Sequence, residues 1–141
     1  MTVTAHLYGA AALGLPQATF DFAADTFKIM LTTSGYTPDV DTHTYRADVT
    51  DEITGTGYSA GGLVLTGFAW SYAGWVASLA VDTPVWTTAT FTARVAVVYK
   101  DTGSGATSPL LCFVDFGADR SPAAEDFGVD FGDGLLGLGV G

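Results

Sequence analysis

Residues 90–100, TFTARVAVVYK, decide the fold class, because no other part of the chain shows so clear a strand pattern. Side chains in this stretch alternate with a period of two, which is the period of a β-strand. One set consists of Phe91, Ala93, Val95, Val97 and Tyr99, and the other of Thr92, Arg94, Ala96, Val98 and Lys100. We predict that the first set forms a buried face.

Other segments on both sides of this stretch also read as strands. Residues 26–33, TFKIMLTT, alternate in the same way and predict a half-buried strand. Further candidates are residues 18–22, 63–65, 68–72, 75–81, 109–116 and one or two glycine-rich strands around a turn at 132–134. Roughly seven to nine short strands at this spacing favour an antiparallel sandwich or barrel. The sequence therefore predicts a single all-β domain, residues 1–141, with one long polar loop.

The composition agrees with this fold class. The 141 residues include 20 Thr and 18 Gly but only two Lys and two Glu, so helix-favouring surface residues are nearly missing. We expect no helix longer than about two turns. Only 14% of the residues are charged, less than a freely soluble monomer usually carries. Low charge favours a packed assembly, and the chain is predicted to be a homo-oligomer.

Charge and cysteine content exclude several classes of function. A net charge of −10 repels phosphate backbones and anionic lipids, which argues against nucleic-acid and membrane-surface partners. Residues 61–81 carry no charge, but acidic residues flank them, so we predict two buried strands with a turn near Gly67 or Gly74 rather than a membrane span. Residues 1–16 lack the basic region of a secretory signal. One cysteine, Cys112, permits no internal disulfide and no cysteine-rich zinc site.

The long loop, residues 34–57, is the candidate functional segment, because polar loops of this length usually have a function or a partner. One helical turn is predicted at 48–53. Asp39, Asp41 and His43 alternate as metal ligands would, but no calcium-loop pattern is present, so a solvated acidic loop is favoured and no cofactor is predicted. The predicted partner-contact residues are Tyr36, Pro38, Asp39, Asp41, His43, Arg46 and Asp48. We expect deletion of residues 38–44 to spare the fold and weaken assembly.

No catalytic constellation stands out, and we predict that the chain is not an enzyme. The chain has two histidines, no G-x-S-x-G motif, and a single thiol in the middle of a predicted strand, where an inert buried cysteine is favoured. Trp70, Trp75 and Trp86 are compatible with a sugar-stacking platform, but core packing is the favoured interpretation.

Five stretches occur together in a distinctive order: LYG at 7–9, DTFKIMLTTSGYTPDVDTH at 25–43, DVTDEITGTGYSAGG at 48–62, TFTARVAVVYKDTG at 90–103 and SPLLCFVDFGAD at 108–119. In this order and spacing the chain resembles a family of small virion proteins of tailed bacteriophages. That family shows S-x-Y-T-P-x-x-D-x-H, E-x-x-G-T-G-Y-x-x-G-G and P-L-x-x-x-V-D-F-G. The chain departs from it at Val95, where the family has tyrosine, and over residues 126–141, which replace a polar C-terminal strand.

The resemblance implies structural roles for the matched positions. It implies that the long loop is fixed by Asp25, Tyr36, Thr37, Pro38, Asp41 and His43. It also implies a turn and the start of a strand at Gly55, Gly57, Tyr58, Gly61 and Gly62, and the end of a strand at Asp115 and Gly117.

The function that the resemblance implies is that of a virion structural protein. The first hypothesis is a capsid decoration protein, an oligomer on the outer surface of the head that binds the major capsid protein. The second is a tail or head-fibre component that contacts other virion proteins. The third, from another class, is a carbohydrate-binding module that uses its tryptophans.

Overall fold

The structure is a computed structural model that describes residues 3–132 and 134–139. Strands make up 44% of it and helices 7%, which confirms the predicted all-β fold. The strands are β1 (His6–Leu7), β2 (Phe27–Thr32), β3 (Leu63–Val64), β4 (Ala69–Ala73), β5 (Val76–Ala80), β6 (Val85–Thr90), β7 (Ala93–Lys100), β8 (Leu110–Arg120), β9 (Ala123–Gly128) and β10 (Leu136–Gly139). A six-residue helix, α1 (Gly9–Gly14), and a 3-10 turn at Arg46–Asp48 complete the elements.

The central sheet contains five antiparallel strands in the order β1-β8-β7-β2-β3. β2 and β7 pair over their whole overlap, from Phe27 opposite Lys100 to Thr32 opposite Val95. Val95, Val97 and Tyr99 are buried, as predicted.

The opposite face of this sheet is buried as well, so the prediction that β2 is half-buried is wrong. Ala96 and Val98 are fully buried, and the buried residues of β2 belong to both of its faces. The Tyr99 face lies under the long loop, since the guanidinium of Arg46 stacks 5.4 Å from the centre of the Tyr99 ring. The other face carries Phe27, whose ring stacks on that of Phe22 at 4.8 Å.

A second sheet has the order β10-β5-β4, and β4 and β5 form a hairpin that turns at Gly74 and Trp75. All five residues of β4 are exposed, which corrects the prediction that residues 61–81 form two buried strands. Among the described residues no helix has the length and apolar character needed to cross a membrane.

The third sheet pairs β6 with β9, and its register shifts between Trp86 and Thr90. Trp86 and Phe127 contact each other across this pair and meet Phe91 in an aromatic cluster. Buried hydrophobic residues of all three sheets form one continuous core.

Several boundaries differ from those predicted. The predicted strand at 90–100 breaks near Phe91, and β6, which precedes the break, was not predicted. Residues 18–22 are not a strand, because the Asp21 carboxylate accepts bonds from the Ala23 and Ala24 N–H groups and closes a turn.

Two further predictions concern the ends of elements. β8 does not end at Asp115 or Gly117; it continues to Arg120 after a bulge that includes Gly117. The helical turn predicted at 48–53 lies instead at Arg46–Asp48. Asp133, inside the turn predicted at 132–134, lies outside the described residues.

Candidate functional site

Tyr36 anchors the beginning of the long loop to the core. Its side chain is buried, and its hydroxyl lies 2.8 Å from that of Tyr8 and 3.0 Å from His43 Nδ1. The Asp39 N–H also donates to this Nδ1, so the nitrogen is an acceptor and Tyr36 donates to it. Burial, followed by the bond to Tyr36, raises the pKa of Tyr8, which keeps the hydroxyl protonated as a donor.

The apex of the loop is a turn built on the Asp39 carboxylate. Asp39 Oδ1 accepts from the N–H groups of Asp41 and Thr42, and these bonds lower the pKa of Asp39. The carbonyl of Val40 accepts a 2.8 Å bond from Gly9 N–H, which ties the apex to the start of α1. Val40 and Asp41 are exposed, so the apex presents one apolar and one acidic side chain to solvent.

Arg46 and Asp48 fix the middle of the loop. Asp48 Oδ2 accepts from the N–H groups of Thr44 and Tyr45, and the Tyr45 bond is the larger cause of the lowered pKa of Asp48. Arg46 lies over the Tyr99 ring and 3.7 Å from Glu52 Oε1. The stacked guanidinium covers one end of the central sheet.

Glu52 connects the end of the loop to the sheet. Its Oε2 atom accepts from the Tyr58 hydroxyl at 2.6 Å and from Gly61 N–H at 2.7 Å. The same Tyr58 hydroxyl accepts from Leu31 N–H at 3.1 Å, and Tyr99 donates to the Gly61 carbonyl at 2.6 Å. Burial first, and then the bond to Glu52, raises the pKa of Tyr58. The sequence identified Glu52 only as one acid among several. Its place in the stretch 48–62, six residues before Tyr58 and nine before Gly61, was the signal that could have revealed this role.

The seven predicted contact residues lie in different surroundings, and Asp41 is exposed at the apex. The side chains of Asp39, Arg46 and Asp48 hold the loop together, while Pro38 and His43 are half-buried within it. Tyr36 is only 3% exposed, so the prediction that it contacts a partner is corrected: it belongs to the core.

The deletion of residues 38–44 would also remove structural bonds. It would take away the His43 acceptor for Tyr36 and the Val40 carbonyl that receives Gly9 N–H. We therefore expect this deletion to destabilise the fold. In the intact chain, the exposed apex is the part of the loop that a partner can reach.

Exposed aromatic side chains form a second candidate surface on the hairpin of β4 and β5. Trp70 is 47% exposed, Tyr72 62% and Trp75 70%, whereas Trp86 is buried. The prediction of core packing is thus confirmed for Trp86 and is wrong for Trp70 and Trp75. Trp75 has a φ of 69°, which is unfavourable for a bulky residue, so the turn holds an indole ring in solvent at some cost in backbone energy.

A shallow groove of about 490 Å³ lies beside this hairpin. Its walls include the rings of Phe20, Phe22, Phe68 and Trp70. Phe22 and Trp70 meet edge to face at 5.9 Å, so the groove continues the aromatic surface of the hairpin towards the core.

Among the described residues, neither the cysteine thiol nor the potential metal ligands form a candidate site. Cys112 is completely buried, and desolvation raises the pKa of its thiol well above the usual range. Within residues 3–132 and 134–139, no group of three or more histidine, cysteine or acidic side chains is placed to hold a metal ion.

Comparisons of the chain with protein-family models, with curated proteins and with solved structures found no match.

Proposed function

We propose that the chain is a structural protein of a tailed-bacteriophage virion, without catalytic activity, that decorates the outer surface of the capsid. In this proposal it acts as an oligomer and binds the major capsid protein. The observation that carries it is the exposed hairpin: Trp70 and Tyr72 on the uncharged strand β4, and Trp75 in the adjoining turn, stand in solvent. Exposed apolar patches of this kind mark surfaces that associate with other proteins.

The resemblance of the sequence to phage virion proteins gives the proposal its biological context. The stretch at 48–62 contributes Glu52, Tyr58 and Gly61, and these residues fasten the loop to the sheet. Because these residues hold the loop in place, the shared motif supports a structural role rather than a catalytic one.

The proposed mechanism is stabilisation by mass action. A protein that binds the assembled shell and not its separated subunits lowers the free energy of the shell with every copy bound. In this mechanism the apolar hairpin supplies contact area, and the exposed apex at Val40 and Asp41 supplies polar specificity, because positioned charges set register more than affinity.

The decisive experiment measures copy number in purified particles of the phage that encodes the chain. Quantitative mass spectrometry should give a fixed ratio to the major capsid protein, of the same order as the capsid subunits themselves. A few copies per particle would assign the chain to the tail or a head fibre, and absence from the particle would refute a virion role.

A charge reversal tests the role of the loop apex. Asp41→Lys should weaken binding of the chain to capsids that lack it. The substitution should not change the thermal stability of the chain, because the Asp41 side chain is exposed. Asp119→Lys is the matched control, since it reverses an exposed carboxylate on β8. Equal binding by the two variants would contradict a contact at the apex.

Carbohydrate binding is the second candidate function, and the exposure of Trp70 and Trp75 favours it. Flat aromatic rings in solvent can stack on sugars. A glycan array probed with the parent chain and with Trp75→Ala separates the candidates. Glycan binding that Trp75→Ala abolishes, and that the exposed-site control Leu13→Ala retains, would favour this second function.

A further inference from the structure

The free edge of β4 is the feature from which a partner can be inferred. β4 is the outermost strand of the sheet β10-β5-β4, so no described strand pairs with its outer side. It pairs with β5 in regular register from Ala69 to Ala73, without a bulge, and it contains neither proline nor a charged residue. Edges of soluble proteins are usually protected by one of these devices, and β4 has none of them.

The turn of the hairpin determines which backbone groups face outwards. Gly74 and Trp75 both have positive φ, 58° and 69°, as in a two-residue type I′ turn. The residues that flank such a turn, Ala73 and Val76, form a hydrogen-bonded pair, and hydrogen-bonded pairs alternate along the hairpin. Ser71 therefore bonds to β5, and the N–H and C=O groups of Trp70 and Tyr72 point to the free edge.

We propose that β4 pairs antiparallel with β4 of a second copy of this chain, about a two-fold axis at Ser71. Trp70 then lies opposite Tyr72 of the partner subunit, and the two such pairs form four N–H···O=C bonds. The two three-stranded sheets become one sheet of six strands.

The sequence of β4 makes this pairing self-complementary. The strand reads Ala-Trp-Ser-Tyr-Ala from Ala69 to Ala73, a small–aromatic–small–aromatic–small order that is the same in both directions. A two-fold axis at Ser71 thus places aromatic rings opposite aromatic rings on one face, and alanine opposite alanine on the other. Aromatic cross-strand pairs stabilise a sheet, and an interface of this type must be self-complementary. A second copy satisfies both conditions, and β4 itself places no like charges opposite one another.

This pairing rests on the oligomer of the proposed function but not on its virion setting. A chain that dimerises but is absent from purified particles would refute the virion role alone, and a chain that is present in particles but monomeric in solution would refute the pairing alone. Analytical ultracentrifugation of the full chain should show a dimer. Ser71→Lys and Ser71→Asp should each raise the dimer dissociation constant at least about tenfold, because each puts like charges directly opposite across the axis. An equimolar mixture of the two variants should recover the dimer. Ser78→Lys is the matched control, since Ser78 lies opposite Ser71 on β5 and away from the edge.

A cross-linking experiment checks the axis itself. Residues at a non-hydrogen-bonded antiparallel pair are about 4.5 Å apart at Cα, within the range of a disulfide. Ser71→Cys should therefore form a covalent dimer under mild oxidation, and Ser78→Cys should not. The buried Cys112 does not compete for the oxidant. Any one of three results would overturn the proposal: the parent chain stays monomeric, the Ser71→Lys variant still dimerises, or the Ser71→Cys variant does not cross-link.

Discussion

Replacing Glu52 with alanine tests whether one side chain fastens the long loop to the central sheet. The carboxylate accepts a 2.6 Å bond from Tyr58 and a 2.7 Å bond from Gly61 N–H. Its removal also leaves the Tyr58 hydroxyl, which receives Leu31 N–H at 3.1 Å, without an acceptor for its own proton. The expected effect is therefore a loss of folding stability rather than a local change at the surface.

The magnitude follows from these two bonds. A hydrogen bond to a charged group contributes about 1.5–3 kcal/mol, so two bonds set an upper limit near 6 kcal/mol. The side chain of Glu52 is 23% exposed, and solvent reduces this contribution. We expect Glu52→Ala to lower the free energy of unfolding by about 2–4 kcal/mol, which corresponds to a fall in Tm of about 7–14 °C for a chain of this size.

The assay is urea denaturation followed by circular dichroism, with thermal melting as a second measurement. Glu125→Ala is the matched control, because Glu125 is the only other glutamate of the chain and is exposed on β9. It should change stability by no more than about 0.5 kcal/mol. If both variants lose the same amount, or Glu52→Ala loses less than about 0.5 kcal/mol, Glu52 does not hold the loop.

Three further predictions follow from backbone geometry, burial and hydrogen bonding. Gly62→Ala should prevent stable folding, because its Cβ would overlap the Ile29 carbonyl oxygen. Gly103→Ala, with a similar positive φ and open space around it, should cost only about 1–2 kcal/mol in denaturant titrations. Cys112 should react with a thiol reagent only in denaturant, and rapid labelling of the folded chain would contradict its burial. The lowered pKa of Asp48 means that its stabilisation is complete above its ordinary pKa of 3.8 and is lost as the pH falls through the lower folded value. The urea midpoint should therefore drop between about pH 5 and pH 2 in the parent, and by less in Asp48→Asn; an equal drop in both would contradict this contribution.

The fold class could be predicted because it depends on local patterning. The alternation of β7 and the shortage of lysine and glutamate are visible in the sequence alone. What covers each face of a strand depends on distant residues, which is why the burial of Ala96 and Val98 could not be read from the period of β7.

The candidate site was harder to predict than the fold. The importance of the long loop was visible from its length and polarity, but its carboxylates act mainly on their own backbone, and Asp39 and Asp48 resemble solvent-facing acids in the sequence. The exposure of Trp70 and Trp75 could not be predicted, since aromatic residues are buried in most strands. Their exposure follows from their places on the edge strand β4 and in its turn, whereas Leu79 of the same hairpin is buried in the core.

The strand order of the central sheet has a consequence for how the chain folds during its synthesis on the ribosome. β2 lies between β3 and β7, and β1 at the edge pairs Leu7 with Cys112. Contacts between such distant parts of a sequence form slowly, because a long segment must be ordered before they close. During synthesis β2 has only the two-residue β3 as a neighbour until β7 emerges, and β1 must wait longer for β8. The nascent chain thus carries the apolar strand β2 without its β7 partner until residues 93–100 have been translated, and the β1–β8 pairing waits for residues 110–120.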